Sequence, residues 1–225
     1  MDITVAVLGD TEIMKDLGKS GTTNDIAMRN LRTPGGVLTF VAPVSDKIFE
    51  EQSSSKSRRN YISPKIQVMA QAAAMADIRV ISAVSLTPAV GEAIILLDEM
   101  KSDEGFFVAP SHMHDALRNI SKETSLKGYV LVSSAQELVE KLSGVSMERD
   151  SEGSLLVTVD NCFEVKGVGT VVLGLVKRGT LKQYDKAVLY PSGKEISVKS
   201  IQCQDEDVKS AGPGSRVGLA LKGAG

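Results

Sequence analysis

Residues 163–174 read Phe-Glu-Val-Lys-Gly-Val-Gly-Thr-Val-Val-Leu-Gly, and residues 216–223 read Arg-Val-Gly-Leu-Ala-Leu-Lys-Gly. Both stretches lie in a C-terminal part made of short strand-like runs without a helical period. The runs cover residues 155–159, 170–175, 187–190, 196–201 and 217–221. Turn residues such as Pro191-Ser192-Gly193 separate them. Many short strands joined by Gly- and Pro-containing turns predict a small, closed, all-β barrel.

The N-terminal part alternates strand-like and helix-like segments. Apolar runs typical of buried strands lie at residues 3–9, 78–84, 105–109 and 129–133. Residues 25–31 and 37–42 flank Pro34-Gly35-Gly36, which indicates a β-hairpin. Strands alternating with helices predict an α/β domain with a mostly parallel sheet, and the hairpin adds an antiparallel edge strand.

Helix start signals support this reading. Ser63-Pro64 and Thr87-Pro88 each place a hydroxyl before a proline at the first helical position. Another helix is expected from Met113 to Ile120. Ser134 and Glu137 form a capping box, in which each side chain accepts from the other residue's amide.

A polar linker, Ser143–Gly153, separates the two patterns. We therefore expect an α/β domain at residues 1–146 and a β-barrel at residues 147–225.

Composition narrows the function classes. The chain has 225 residues and a net charge of −2, so any nucleic-acid contact needs a local basic surface, and we expect no DNA partner. Cys162 and Cys203 form no Cys-x-x-Cys pair, and His112 and His114 lack a third ligand nearby, so we expect no metal site. There is no basic leader and no membrane-length apolar run, which favours a cytoplasmic protein without a membrane partner.

The stretch from Asp160 to Gly223 resembles the second domain, a β-barrel, of the elongation factor Tu and SelB class of translation factors. The N-terminal part is similar to that family's P-loop GTPase domain in the order of its apolar segments. Met69–Asp77 and Thr87–Asp98 resemble two of its helices. On this resemblance we identify the chain as an archaeal, SelB-like member of the family with a degenerate GTPase domain.

The phosphate-binding signature of that family is missing. A P-loop needs Gly, four residues, then Gly-Lys-Ser/Thr between a strand and a helix. Gly18-Lys19-Ser20 is the candidate tripeptide, but the required upstream glycine falls at Ile13. The segment around Thr22 and Thr23 resembles the end of the family's first switch region, where a threonine ligates magnesium.

The other nucleotide signatures depart as well. Residues 39–44, Thr-Phe-Val-Ala-Pro-Val, replace the family's Asp-x-x-Gly, and Ala109-Pro110-Ser111-His112 replaces its guanine-reading Asn-Lys-x-Asp. Ser133-Ser134-Ala135 resembles, in outline only, the last of the family's nucleotide-binding signatures. The resemblance therefore implies a pseudo-GTPase with no catalytic residue and no cofactor. The alternative is a divergent GTP- and magnesium-binding elongation factor that uses Gly18-Lys19-Ser20.

The resemblance implies partners in translation: tRNA, the ribosome or another translation factor. Candidate contact residues are Thr22, Thr23, Lys166, Lys177, Arg178 and Lys182. The acidic run Asp205-Glu206-Asp207 stands where tRNA-carrying relatives have a basic residue, which argues against ordinary aminoacyl-tRNA delivery. A third hypothesis is a regulatory module that competes with a true elongation factor for a protein partner and never touches RNA.

Overall fold

The computed structural model describes residues 2–20, 25–44, 65–203 and 206–224. The chain divides into two compact units, Met1–Ser146 and Met147–Gly225. The first unit is α/β with a largely parallel sheet, and the second is built from antiparallel strands. The predicted fold class is confirmed.

The first unit contains a seven-stranded sheet within these residue ranges. Its strands are β1 (Ile3–Gly9), β2 (Lys19–Ser20), β3 (Ile26–Thr33), β4 (Gly36–Pro43), β5 (Ile78–Ser82), β6 (Gly105–Val108) and β7 (Val130–Val132). Their order across the sheet is β2-β3-β4-β1-β5-β6-β7. Strands β4, β1, β5, β6 and β7 pair with one another in parallel, in that order. Strand β3 pairs antiparallel with both β2 and β4, and its pairing with β4 confirms the predicted hairpin.

The described helices begin close to where the sequence predicts, with one start shifted by a residue. The described helices are α1 (Lys65–Met75), α2 (Pro88–Glu99), α3 (His114–Ser121) and α4 (Ala135–Ser143). The Thr87 side chain accepts a hydrogen bond from the Val90 amide at the start of α2. Residues Ser111–Met113 form a 3-10 turn before α3, so the helix predicted from Met113 starts one residue later. The predicted start signal Ser63-Pro64 lies outside the described residues.

One of the two hydrogen bonds of the predicted capping box is confirmed, and the other has a different donor. Ser134 Oγ accepts from the Glu137 amide at 3.1 Å, as expected. Glu137 Oε2 instead accepts from the amide of Ser133, at 2.8 Å, one residue earlier than the pattern implies. The side chain thereby reaches an amide at the exposed edge of the sheet.

Burial on both faces fixes this sheet. Four successive residues of β1, Val5 to Leu8, are fully buried, which requires cover on both sides. Leu8 belongs to a buried cluster with Leu97 of α2 and Leu117 of α3. Helix α1 packs through residues such as Ala72 against the same sheet. In the described ranges no helix has the length and apolar character needed to span a membrane.

The second unit is an antiparallel half-barrel. Its strands are β8 (Leu156–Val165), β9 (Gly169–Arg178), β10 (Leu181–Lys182), β11 (Lys186–Leu189), β12 (Lys194–Cys203), β13 (Glu206–Val208), β14 (Ser210–Ala211) and β15 (Arg216–Lys222). The larger sheet has the order β11-β12-β15-β9-β8, with β13 on β12, and β10 pairs with β14. Both sheets share one core that includes Val172, Leu181, Val198 and Ala211.

Strand β8 is longer than the sequence indicated. The apolar pattern predicted a strand ending at Val159, whereas pairing with β9 continues to Val165 opposite Gly169. Residues 160–161 and 164 are polar and interrupt the apolar pattern, so the sequence did not indicate this extension. It is stabilised by pairing with β9, which the local sequence pattern does not show.

Candidate functional site

The carboxyl ends of β1, β5, β6 and β7 lie at one edge of the first unit's sheet, because these strands run parallel. They end at Gly9, Ser82, Val108 and Val132. Open α/β sheets bind ligands in the crevice at this edge. A nucleotide site is therefore expected at this edge.

The segment after β1 closes on itself. The Asp10 amide donates to Ser82 O at 2.8 Å. A carboxylate oxygen of Asp10 accepts from the Glu12 amide at 3.1 Å and caps the 3-10 helix Thr11–Asp16. These two amides therefore bond within the chain, and the helix start already carries a carboxylate where a P-loop would present amides to phosphate.

Packing explains this conformation. Met14 and Leu17 are buried and hold the short helix against the sheet. Gly9 has φ +79°, and a Cβ there would lie 2.5 Å from Ser82 O. The chain thus makes a tight left-handed turn directly onto β5, and this turn leaves the Asp10 amide facing a protein carbonyl.

The tripeptide Gly18-Lys19-Ser20 lies on an edge strand. Lys19 and Ser20 form β2 and pair with Asn30 and Arg29 of β3. Gly18 has φ +88°, and its carbonyl accepts from Arg29 Nη1 at 2.9 Å. A P-loop lies between a strand and a helix, so the geometry of this tripeptide differs from one.

The ends of β6 and β7 are joined by internal hydrogen bonds. Ala109 donates its amide to Val132 O at 2.9 Å, and its carbonyl accepts from His114 Nε2 at 3.0 Å. Ser111 Oγ and Ser133 Oγ lie 3.3 Å apart. Ala109 and Ser111, which stand in place of the guanine-reading motif, therefore make hydrogen bonds within the protein. In the described ranges, no cluster of three or more His, Cys, Asp or Glu is arranged to hold a metal.

The predicted contact residues do not form one surface. Thr22 and Thr23 lie outside the described residues. Lys166 is in the turn between β8 and β9, whereas Arg178 pairs with Leu156 at the other end of that hairpin. Nine residues of strand separate the ends, about 30 Å at ~3.3 Å per residue.

Arg178 also has a structural role. Its Nε donates to Ser154 O at 2.9 Å, which ties the segment before β8 to the end of β9. Lys177 and Lys182 lie near it in sequence, and the Lys182 side chain is exposed. This end of the half-barrel therefore carries three of the four predicted cations, and Lys166 is at the other end.

Two cations that the sequence did not single out, Lys199 and Lys222, lie near the turn that carries Lys166. They line a shallow cleft of about 630 Å³ together with Val168, Gly169 and the carboxylate-bearing Glu164, among others. Lys199 Nζ donates to Val168 O at 2.7 Å, which binds β12 to the turn that carries Lys166. Only the pairing of β12 with β15 brings Lys199 and Lys222 together, so no sequence signal identified them.

Comparisons with known proteins agree with this architecture. The family Elongation factor Tu domain 2 matches residues 169–225. Uncharacterized protein MJ0325 of Methanocaldococcus jannaschii is 34% identical over 224 residues, 98% of this chain and 68% of that protein. The selenocysteine-specific elongation factor of the same organism is 35% identical over 128 residues, 56% of this chain and 27% of that protein.

Solved structures show the same fold. The crystal structure of translation elongation factor SelB from Methanococcus maripaludis, in complex with the GTP analogue GPPNHP, matches with a TM-score of 0.72 at 23% identity. The match covers 100% of this chain and 53% of that one. The chain thus spans about half the length of the SelB structure it matches.

Proposed function

The chain belongs to the elongation factor Tu and SelB-like family of translation factors. We propose that it is a cytoplasmic binding module of the translation machinery and that, unlike a GTPase, it acts without GTP. Its partners are tRNA, the ribosome or another translation factor. The observation that carries the proposal is the capped segment after β1.

The first support for the proposal is the hydrogen bonding of Asp10. A nucleotide at this edge of the sheet would have to displace Asp10 Oδ1 from the Glu12 amide and Ser82 O from the Asp10 amide. Hydrogen bonds to a charged phosphate contribute about 1.5–3 kcal/mol each, and amides that stay bonded within the chain contribute none of this.

Charge supports it as well. Asp10, Glu12 and Asp16 lie in the seven residues that follow β1. Two cations lie nearby: the Lys15 ammonium pairs with Glu12, and the Arg29 guanidinium donates to the carbonyls of Lys15 and Gly18. A triphosphate next to these carboxylates would be repelled, whereas a P-loop lysine attracts it.

Calorimetry with GDP and with GPPNHP, each with magnesium, tests the proposal. We expect no heat of binding up to about 1 mM nucleotide, a limit of roughly −4 kcal/mol in binding free energy. The Methanococcus maripaludis SelB, which was crystallised with GPPNHP, serves as the positive control. Micromolar binding by this chain would refute the proposal.

The same assay tests the divergent-GTPase alternative. That alternative requires Lys19 to reach a phosphate, so Lys19→Ala would abolish any nucleotide binding. Arg32→Ala removes another exposed cation from the hairpin and is the matched control. Binding that disappears in the first variant and persists in the second would establish the alternative.

RNA binding by the half-barrel gives a further prediction. Lys166→Glu/Lys222→Glu reverses two charges at the end of the half-barrel that carries the β8–β9 turn. Lys177→Glu/Lys182→Glu reverses two charges at the opposite end, near Arg178. We expect the first pair to weaken binding of total tRNA and to flatten the salt dependence. The slope of log K against log salt should change by about 0.7–0.9 for each lysine that no longer neutralises an RNA phosphate. Arg32→Glu/Lys141→Glu is the control.

Filter binding at several salt concentrations measures this effect. Weaker binding confined to Lys177→Glu/Lys182→Glu would place the RNA surface at the other end. Equally weak binding by the control would mean that only net charge matters. If tRNA binds none of the proteins and a protein partner survives nuclease treatment during co-purification, the chain is a protein-interaction module.

A further inference from the structure

A second cleft, of about 530 Å³, lies beside β7 in the first unit. We call it the α3–β7 cleft. Its walls come from α3 with Lys122, from the 3-10 turn Ser125–Gly128 and from β7 with Tyr129. Its volume falls within the roughly 300–1,000 Å³ of ligand clefts. Its lining contains no residue of the loops that follow β1 and β5, where a nucleotide would bind.

The cleft carries unpaired positive charge. Arg118, Lys122 and Lys127 line it, and all three are exposed. Within the described ranges, none of these three side chains has a hydrogen bond or ion-pair partner, and no carboxylate lines the cleft. Three cations without counter-charges favour an anionic partner, because charge-assisted hydrogen bonds are about twice as strong as neutral ones.

The same cleft opens onto a sheet edge at which the described residues place no further strand. Strand β7 ends the strand order of the sheet. Val132 O faces β6, since it accepts from the Ala109 amide. Backbone groups alternate in direction along a strand, so the amide and carbonyl of Leu131 face away from β6. The next outward amide, that of Ser133, is bonded to Glu137. Among the residues that the structure describes, Leu131 is therefore the open position on this edge.

Apolar groups complete the surface. Val130 is 45% exposed although it lies within a strand, and Leu131 is half-buried. The rings of Phe107 and Tyr129 also line the cleft, with centroids 5.3 Å apart. An extended peptide presents alternate side chains to opposite sides, so it can meet such apolar groups and the cations at once.

We propose that the α3–β7 cleft binds an extended acidic peptide segment of a partner protein, which adds a strand to β7. The peptide's backbone bonds to Leu131, its carboxylates reach Arg118, Lys122 and Lys127, and its apolar side chains cover Val130. Strand addition to an exposed edge is a general mode of peptide recognition. RNA would engage the cations but would leave the apolar wall and the strand edge unused, so a peptide fits more of the observed surface.

A fluorescein-labelled peptide, acetyl-Asp-Val-Asp-Leu-Asp-Val-amide, is the probe, titrated with the full chain and followed by anisotropy. We expect saturable micromolar binding. Arg118→Glu/Lys122→Glu should weaken it at least about tenfold, since two charge-assisted hydrogen bonds are removed. Arg32→Glu/Lys186→Glu makes the same change in net charge at exposed positions outside the cleft. Equal weakening in both variants overturns the proposal.

Backbone methylation separates strand addition from charge attraction. Two further peptides carry N-methyl groups on alternate residues, one on odd and one on even positions. The amides of alternate residues point to opposite edges of a strand, and only one edge of the peptide bonds to β7. The peptide that is methylated on the amides of that edge should therefore no longer bind. Hydrogen exchange should also show slower exchange at the Leu131 amide when the unmethylated peptide is bound.

Two results would overturn the proposed peptide site even if every variant folds. In one, both methylated peptides bind as well as the parent. In the other, a twelve-nucleotide oligouridine binds in an Arg118- and Lys122-dependent manner while the peptide does not, which would assign the cleft to RNA.

Discussion

Arg216→Ala is expected to lower the free energy of unfolding of the second unit by about 2–4 kcal/mol, below the roughly 3–5 kcal/mol of a fully buried pair because Arg216 is partly exposed. Arg216 Nη2 lies 2.6 Å from Asp160 Oδ2. The Asp160 side chain is 7% exposed and that of Arg216 is 33% exposed. Removal of the arginine leaves a carboxylate buried without a counter-charge.

Asp160→Ala should cost less than Arg216→Ala. The arginine left behind is a third exposed and can reach water, whereas the orphaned aspartate cannot. The pair is also imperfect, since Asp160 Oδ1 and Arg216 Nη1 are buried and lack a hydrogen-bond partner within the described residues. The double substitution should therefore cost less than the sum of the two single ones.

The position of Asp160 explains the pair. The β8–β9 register shifts between Val159 and Asn161, so Asp160 sits at a bulge. Arg216 pairs with Leu175 of β9, which itself pairs with Thr158 of β8. The bulge thus directs a β8 side chain across β9 to β15, and bulges commonly re-aim a side chain in this way.

Hydrogen exchange in urea measures these effects unit by unit. Amides of β9 report the second unit, and amides of β5 report the first. Faster exchange confined to β9 is expected, because the pair lies wholly in the second unit. If Asp160→Ala proves more damaging than Arg216→Ala, the assignment of the buried charge to Asp160 is wrong.

Gly105→Ala is expected to destabilise the first unit by about 3 kcal/mol, at the top of the usual range for overpacking. An added Cβ would collide with the Arg79 carbonyl of the neighbouring strand and lie 2.6 Å from two ring carbons of Tyr129. The Tyr129 ring is buried and its hydroxyl bonds to Ser102 Oγ at 2.7 Å. Neither neighbour can move without breaking a strand pairing or this hydrogen bond.

Gly91→Ala is the matched control. Gly91 lies within α2, and a Cβ there would meet nothing within 4 Å. Alanine in a helix is favoured over glycine by about 0.5–1 kcal/mol, so this variant should be stabilised. Thermal unfolding followed by far-ultraviolet circular dichroism compares the two variants. Equal stability of Gly105→Ala and Gly91→Ala would contradict the steric argument.

Sequence patterns were most informative where they are local. The Thr87 and Ser134 caps and the hairpin around Gly35 involve residues a few positions apart, so their chemistry is readable in the chain. The buried runs of β1, β5 and β6 were equally clear, since strands covered on both faces contain few polar residues. Patterns that depend on a distant partner, such as the length of β8, were not.

The candidate sites divide in the same way. The sequence showed that Ile13 stands where a P-loop needs glycine, and the structure adds that Asp10 caps the amide of Glu12. By contrast, Lys166 and Arg178 are twelve residues apart in sequence yet lie at opposite ends of one hairpin. Strand pairing alone brings Lys199 and Lys222 to the cleft beside the turn that carries Lys166.

The order of strands and helices, the family and the absence of the nucleotide motifs were determined by the sequence itself, because each depends on residue types at short, fixed spacings. Which cations share a surface, where a carboxylate is buried and which strand edge stays open were decided by the tertiary structure. The reason is physical: register and strand order bring together residues tens of positions apart, and no local preference encodes that distance.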